Sequence, residues 1–166
     1  MTTLPLAVTM GDPAGIGPEL LLKAWRARKA QRLPPFFAVA DPSLLSRVAE
    51  NLGLEVPLAV ATPETATKMF DAALPVLALA HESIAIAGRP DKANAPAIIE
   101  SIERAVAGVA QGSARGVVTN PIAKATLYAA GFKHPGHTEF LGELATRHYG
   151  GVYRAVMMVW GGEIAV

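Results

Sequence analysis

The chain alternates short, unbroken apolar runs with longer amphipathic stretches, and this alternation limits its fold more than any other feature. Runs at 4–10, 36–40, 57–61, 76–80, 116–119 and 155–159 read as strands, with a shorter one at 163–166. Most are continuous rather than alternating, as strands covered on both faces are. Helical patterns lie between them. The clearest spans 97–111, where Ile98, Ile99, Ile102, Ala105, Val106 and Val109 form one stripe. Glu100 and Arg104 stand four residues apart on its other side. Another helix follows Gly17-Pro18, with Leu20, Leu21, Ala24 and Trp25 expected inside and Lys23, Arg26, Arg28 and Lys29 outside. Further helices are expected at 43–52, 64–70, 122–130 and 138–148. Strands alternating with helices predict an α/β fold, a three-layer α/β/α arrangement around a mostly parallel sheet.

Composition narrows the function. Of 166 residues, 51% are hydrophobic and 17% charged, which excludes a disordered chain. Fifteen basic against fourteen acidic residues leave a net charge of +1, too little to hold nucleic acid or a membrane surface by bulk charge. Neither partner is expected. The absence of cysteine excludes disulfides, thiolate zinc sites and thiol catalysis. The first residues lack a basic leader pattern, and every apolar run falls far short of the roughly 20 residues of a membrane helix. A soluble, cytoplasmic protein is the expectation.

Three strand-to-helix turns carry the chemistry, since ligands of parallel sheets sit beyond the strands' carboxyl ends. The first holds Gly11, Asp12, Gly15 and Gly17 ahead of Pro18 and Glu19. Its glycines permit close approach to a ligand, although they also suit a plain tight turn, and the spacing is not a dinucleotide or P-loop fingerprint. In the second, Asn120 is expected to cap a helix that Pro121 opens, with Lys124 one turn in. A lysine there is either solvated or a point charge for an anion. The third is His134-Pro135-Gly136-His137-Thr138-Glu139. Here an imidazole, a hydroxyl and the first amides of a helix meet, which suits a phosphate, and equally a capped helix with a surface histidine. Pro135-Gly136 breaks the helix that a metal pair of His134 and His137 would use. Met157 and Met158 read as core, His81 as a strand-end residue, His148 as a helix-surface one, and Trp160 as the end of a strand.

Taken together, the motifs resemble the 4-hydroxythreonine-4-phosphate dehydrogenase family of pyridoxal phosphate biosynthesis. The resemblance rests on T-M-G-D-P-A-G-I-G-P-E at 9–19, V-T-N-P-I-A-K at 118–124, A-A-G-F at 129–132, P-G-H-T-E-F-L at 135–141 and V-M-M-V at 156–159. The opening loop is similar to that of isopropylmalate and isocitrate dehydrogenases, which implies a related fold. The family implies oxidation of a secondary alcohol in a phosphorylated hydroxy acid, 4-phosphooxy-L-threonine, followed by decarboxylation. It implies NAD or NADP, a divalent metal (Zn, Mg or Co) and a homodimer whose active sites use both subunits. His137 and Thr138 match the family's substrate-binding pair; Gly11, Asp12, Gly15, Gly17, Asn120 and Lys124 match motifs lining the same cleft. The segment around Asn94-Ala95-Pro96 departs from the Ser/Gly-containing pattern more usual there.

The family's chain is about twice as long, and its metal-binding histidines fall beyond Val166. A truncated chain is therefore expected, with an N-terminal α/β domain at 1–130, the incomplete start of a second at 131–166, no metal ligands and no activity alone. Two other readings share these turns. One is a paralogue oxidising threonate or erythronate 4-phosphate. The other is a non-catalytic module that binds a phosphorylated ligand.

Overall fold

The computed structural model describes residues 4–162 and 164–165. Five parallel strands form one sheet: β1 (Leu6–Thr9), β2 (Phe36–Ala40), β3 (Leu58–Val60), β4 (Leu74–Ala78) and β5 (Gly116–Val118). Their spatial order is β3-β4-β2-β1-β5. β1 sets Leu6 against Phe36 of β2 on one side and against Gly116 of β5 on the other.

β2 is buried along its whole length, and its residues divide between two faces. Phe36, Ala38 and Ala40 pack with Leu21, Leu22 and Trp25 of α1 (Gly17–Ala27) and with Leu44 and Leu45 of α2 (Pro42–Asn51). Phe37 and Val39 pack with Ala66 of α3 (Pro63–Met69) and Ala105 of α4 (Ala95–Ala110). The expected α/β fold is thus present, with helices on both faces of a parallel sheet. α4 is itself covered from outside: Ile98, Ile102 and Val106 meet Leu127 of α5 (Lys124–Ala129) and Phe140 and Leu144 of α6 (His137–Tyr149).

Buried polar side chains tie the loops to this frame. Asp41 caps α2 by accepting from the Ser43 N–H at 2.8 Å, and its other oxygen accepts from the Ser83 N–H at 2.9 Å. Asn94 exchanges two hydrogen bonds with the Ile84 backbone. Among the described residues, no helix is long and apolar enough to cross a membrane.

Several expectations about burial and pairing need correction. The run 155–159 is extended but lies in no strand, and Met157 and Met158 are 72% and 68% exposed rather than core. Apolar sequence favours a strand only where another strand edge lies alongside, and among the described residues none does. Trp160 does not end that run; it opens a two-residue strand, β6 (Trp160–Gly161), antiparallel to β7 (Ile164–Ala165). The expected strand at 163–166 is represented by β7, while Glu163 and Val166 lie outside the described residues. In α1 the inward stripe is Pro18, Leu21, Leu22 and Trp25, so Leu20 turns outward. Arg28, expected in solvent, stacks over the Trp25 ring at 3.5 Å and donates to the Asp71 carbonyl.

Ser101 joins three elements at once. Its hydroxyl donates to the Val39 carbonyl at 2.6 Å and accepts from the Met10 N–H at 2.9 Å, all out of solvent. Ser101→Ala leaves two buried backbone groups unpaired, a cost of about 1–3 kcal/mol. Urea denaturation should show a lower midpoint at unchanged slope. A midpoint equal to that of the wild type would mean that the backbone finds other partners.

Candidate phosphate-binding site

The first two turns of interest meet beyond the carboxyl ends of β1 and β5, whereas the third is no strand-to-helix turn: it joins α5 to α6. In the first, the chain leaves β1, reverses through Gly11 at φ 73° and enters α1 at Gly17. A Cβ on Gly17 would lie 2.1 Å from the Met10 carbonyl oxygen, and one on Gly11 would lie 2.7 Å from the Pro121 oxygen. These close approaches are to the protein's own backbone. Asp12 is buried, donates its N–H to the Pro121 carbonyl at 2.9 Å and accepts from the Ala14 N–H at 2.8 Å. Its Oδ2 has no hydrogen-bond partner. Gly15 and Ile16 form the exposed tip.

Asn120 does not cap a helix. Its N–H donates to the Thr9 hydroxyl at 3.0 Å and its side-chain amide donates to the Thr9 carbonyl at 2.8 Å and, more weakly, to that of Gly17. Residues 119–123 are accordingly non-helical, and α5 begins at Lys124 rather than at Ile122. The change of frame matters. Lys124 becomes the first residue of the helix, with Cε and Nζ 3.6 and 3.7 Å from where a Cβ on Gly136 would stand.

The third turn is held from behind. The Tyr128 hydroxyl donates to the Pro135 carbonyl at 3.0 Å. The His134 ring packs against Phe132 and Phe140, with Nε2 3.2 Å from a Glu143 oxygen. Sequence reasoning missed both supports; the spacing of Phe132, His134 and Phe140 was the available signal. Gly136 is the extended N-cap of α6, and no side chain caps the helix. Its first-turn amides are therefore left to water or a ligand.

His137 opens α6, half-buried, with its Nε2 out of solvent and unpartnered. Burial holds its imidazole below the usual histidine range, and the Lys124 charge adds to the effect. Thr138 occupies a neighbouring face of the helix, in a shallow cavity shared with Gly142, Thr146 and Arg154. The structure thus brings Lys124 to Gly136 and His137, and separately packs Gly11, Asp12, Gly17 and Asn120 into one turn. The contact from Asp12 to Pro121 joins the two groups. Among the described residues no cluster of three or more His, Asp or Glu side chains could hold a metal ion.

Comparison with known proteins identifies the family and the fold. Residues 32–166 match the family described as pyridoxal phosphate biosynthetic protein PdxA. The chain is 51% identical, over 164 residues, to a 4-hydroxythreonine-4-phosphate dehydrogenase of Methylorubrum extorquens, covering 98% of this chain and 47% of that protein. A crystal structure of a 4-hydroxythreonine-4-phosphate dehydrogenase from Burkholderia phymatum has the same fold, with a TM-score of 0.82 at 24% identity, over 98% of this chain and 48% of that one. The enzyme of that name from Klebsiella pneumoniae aligns with a TM-score of 0.72 at 27% identity, over 87% and 45%. The chain spans about half the length of the curated relatives it matches.

Gly17 is the position with no room to spare. Gly17→Ala should destabilise the protein by about 2 kcal/mol or more, since a rigid backbone carbonyl stands where the methyl must go. Thermal unfolding monitored by circular dichroism checks this. A melting temperature unchanged from wild type would show that the turn can open.

Proposed function

Because the chain belongs to the PdxA family of pyridoxal phosphate biosynthetic proteins, we propose that it forms the phosphate-holding portion of a 4-hydroxythreonine-4-phosphate dehydrogenase. In this reading the complete protein oxidises the secondary alcohol of 4-phosphooxy-L-threonine, and the resulting β-keto acid loses carbon dioxide. One observation carries it. An uncapped helix start, a half-buried imidazole and a lysine ammonium meet around Gly136 and His137, where no side chain among the described residues caps α6. A phosphate dianion is favoured there by the helix dipole and by hydrogen-bond donors.

In this reading NAD or NADP would supply a hydride acceptor and a divalent metal a Lewis acid in the complete protein. The described residues do not fit either group. They contain no metal-holding cluster, and the glycine turn is packed against its own backbone rather than open to a pyrophosphate. The part of these residues is to bind and orient: the α6 amides and His137 hold the phosphoryl group, Thr138 contributes its hydroxyl from the adjoining face, and the Asp12–Pro121 contact ties the glycine turn to the loop that leads to Lys124. We place the enzyme in the cytoplasm as a homodimer. The exposed apolar run from Val152 to Trp160 supports a further covering surface.

His137→Ala in the full-length protein removes one hydrogen bond to a charged ligand, about 1.5–3 kcal/mol. KM for 4-phosphooxy-L-threonine should rise about 10- to 100-fold with the fold intact. Unchanged KM and kcat would remove His137 from the site. The 166-residue chain alone should not reduce NAD with substrate and Mg²⁺ or Zn²⁺; steady turnover would show that these residues hold the metal after all.

A further inference from the structure

The sheet ends in β3 on one side and β5 on the other, and the two edges differ in chemistry. Pro57 and Pro63 flank β3, and the hollow leading into it carries Glu50 and Glu55. Proline and charge are the usual means of keeping an edge from pairing further. β5 has neither within Gly116–Val118, and β1 occupies one side of it. Among the described residues no strand pairs with its other side. Alternate N–H and C=O groups of an edge strand face away from the sheet, so part of the β5 backbone is left without a ladder partner.

The faces of β5 differ as well. Val117 packs with Ala105 of α4, which covers that face. Val118 points to the α1 face and is 44% exposed, at the mouth of an apolar groove of about 240 Å³. Leu6, Val8, Leu20, Ala24 and Phe36 line the groove, and its one polar side chain, Asn120, is engaged with Thr9. The groove is smaller than the roughly 300–1,000 Å³ of pockets that enclose a drug-sized ligand. Aliphatic side chains suit it better. A second copy of the chain is a poor source for them, because a three-residue edge falls far short of the roughly 1,200–2,000 Å² that a stable interface buries. A segment of the same polypeptide needs no such area. This chain covers 47% of the Methylorubrum relative, so about as much protein again belongs to a complete enzyme of that length.

We propose that β5 is an interior strand of the complete protein: an extended segment from the part that this chain does not span lies along its open side and sets aliphatic side chains into the groove between α1 and β5. The proposal stands apart from the phosphate reading, since it involves neither His137 nor Lys124. It also gives Leu20 and Val118, both exposed, a common cover.

The test is hydrogen exchange on the full-length protein, read residue by residue. The amides of Gly116, Val117 and Val118 should all exchange at least about a hundredfold more slowly than in an unstructured peptide. Those of β3 should alternate between slow and fast, as at a true edge. Alternation in β5 like that in β3 would overturn the proposal. So would protection of β5 that disappears on dilution to a monomer, which would assign the edge to a second copy. Val118→Thr, a swap of equal size, should lower the melting temperature of the full-length protein by burying a hydroxyl. Val60→Thr, at a position on β3 that is 68% exposed, should leave it unchanged. Equal shifts in the two variants would show that Val118 stays uncovered and overturn the proposal.

Discussion

Everything at the carboxyl edge of the sheet depends on the lack of room between the Met10 carbonyl and Gly17. The chain leaves β1 and must return within a few residues to start α1 against the same strand. Only a residue without a side chain fits the point of return. Asn120 completes the arrangement. Its amide satisfies the Thr9 carbonyl and reaches that of Gly17, so the end of β1, the start of α1 and the loop after β5 are tied together. An asparagine engaged in this way cannot cap the next helix. α5 therefore starts late, and the late start delivers Lys124 to Gly136.

Two kinds of polar cluster sit near this edge, and their hydrogen bonding separates them. Glu100 accepts from the backbone N–H groups of Ala80 and His81, from the His81 ring and from Arg104. Burial pushes its carboxyl up, but those donors outweigh it and hold the group below the usual carboxylate range. Such a fully engaged carboxylate anchors the end of β4 to α4. His137 is the opposite case: partly buried, next to a cation and short of a partner at Nε2. Unmet polar capacity beside a saturated framework is the usual mark of a place for a ligand.

The outer layer follows the same division. Arg147 bridges Glu103 of α4 and Glu143 of α6, and Glu143 also faces His134. Exposed pairs of this kind add little energy singly. Their effect here is geometric, because they reinforce the α4–α6 packing formed by Ile98, Ile102, Phe140 and Leu144. That packing, together with the Tyr128–Pro135 hydrogen bond, holds the turn in which His137 stands.

Much of this protein was legible in its residues. Period and run length identified the five sheet strands and the six helices to within a few residues, since burial on one face or two leaves a local pattern. The glycine turn and the Gly136-His137 helix start were equally plain, because turn and cap chemistry is local. Three things were not. The inward stripe of α1 shifted by a fraction of a turn, because the helix frame is set by where Gly17 meets Met10. The run at 155–159 has the composition of a strand and no neighbour to pair with, and pairing is a relation between segments that composition cannot encode. The approach of Lys124 to Gly136 arose because Asn120 was claimed by Thr9, 111 residues away in the chain. Local sequence determined which residues had the chemistry for an anion; competition for hydrogen bonds between distant segments decided which of them met.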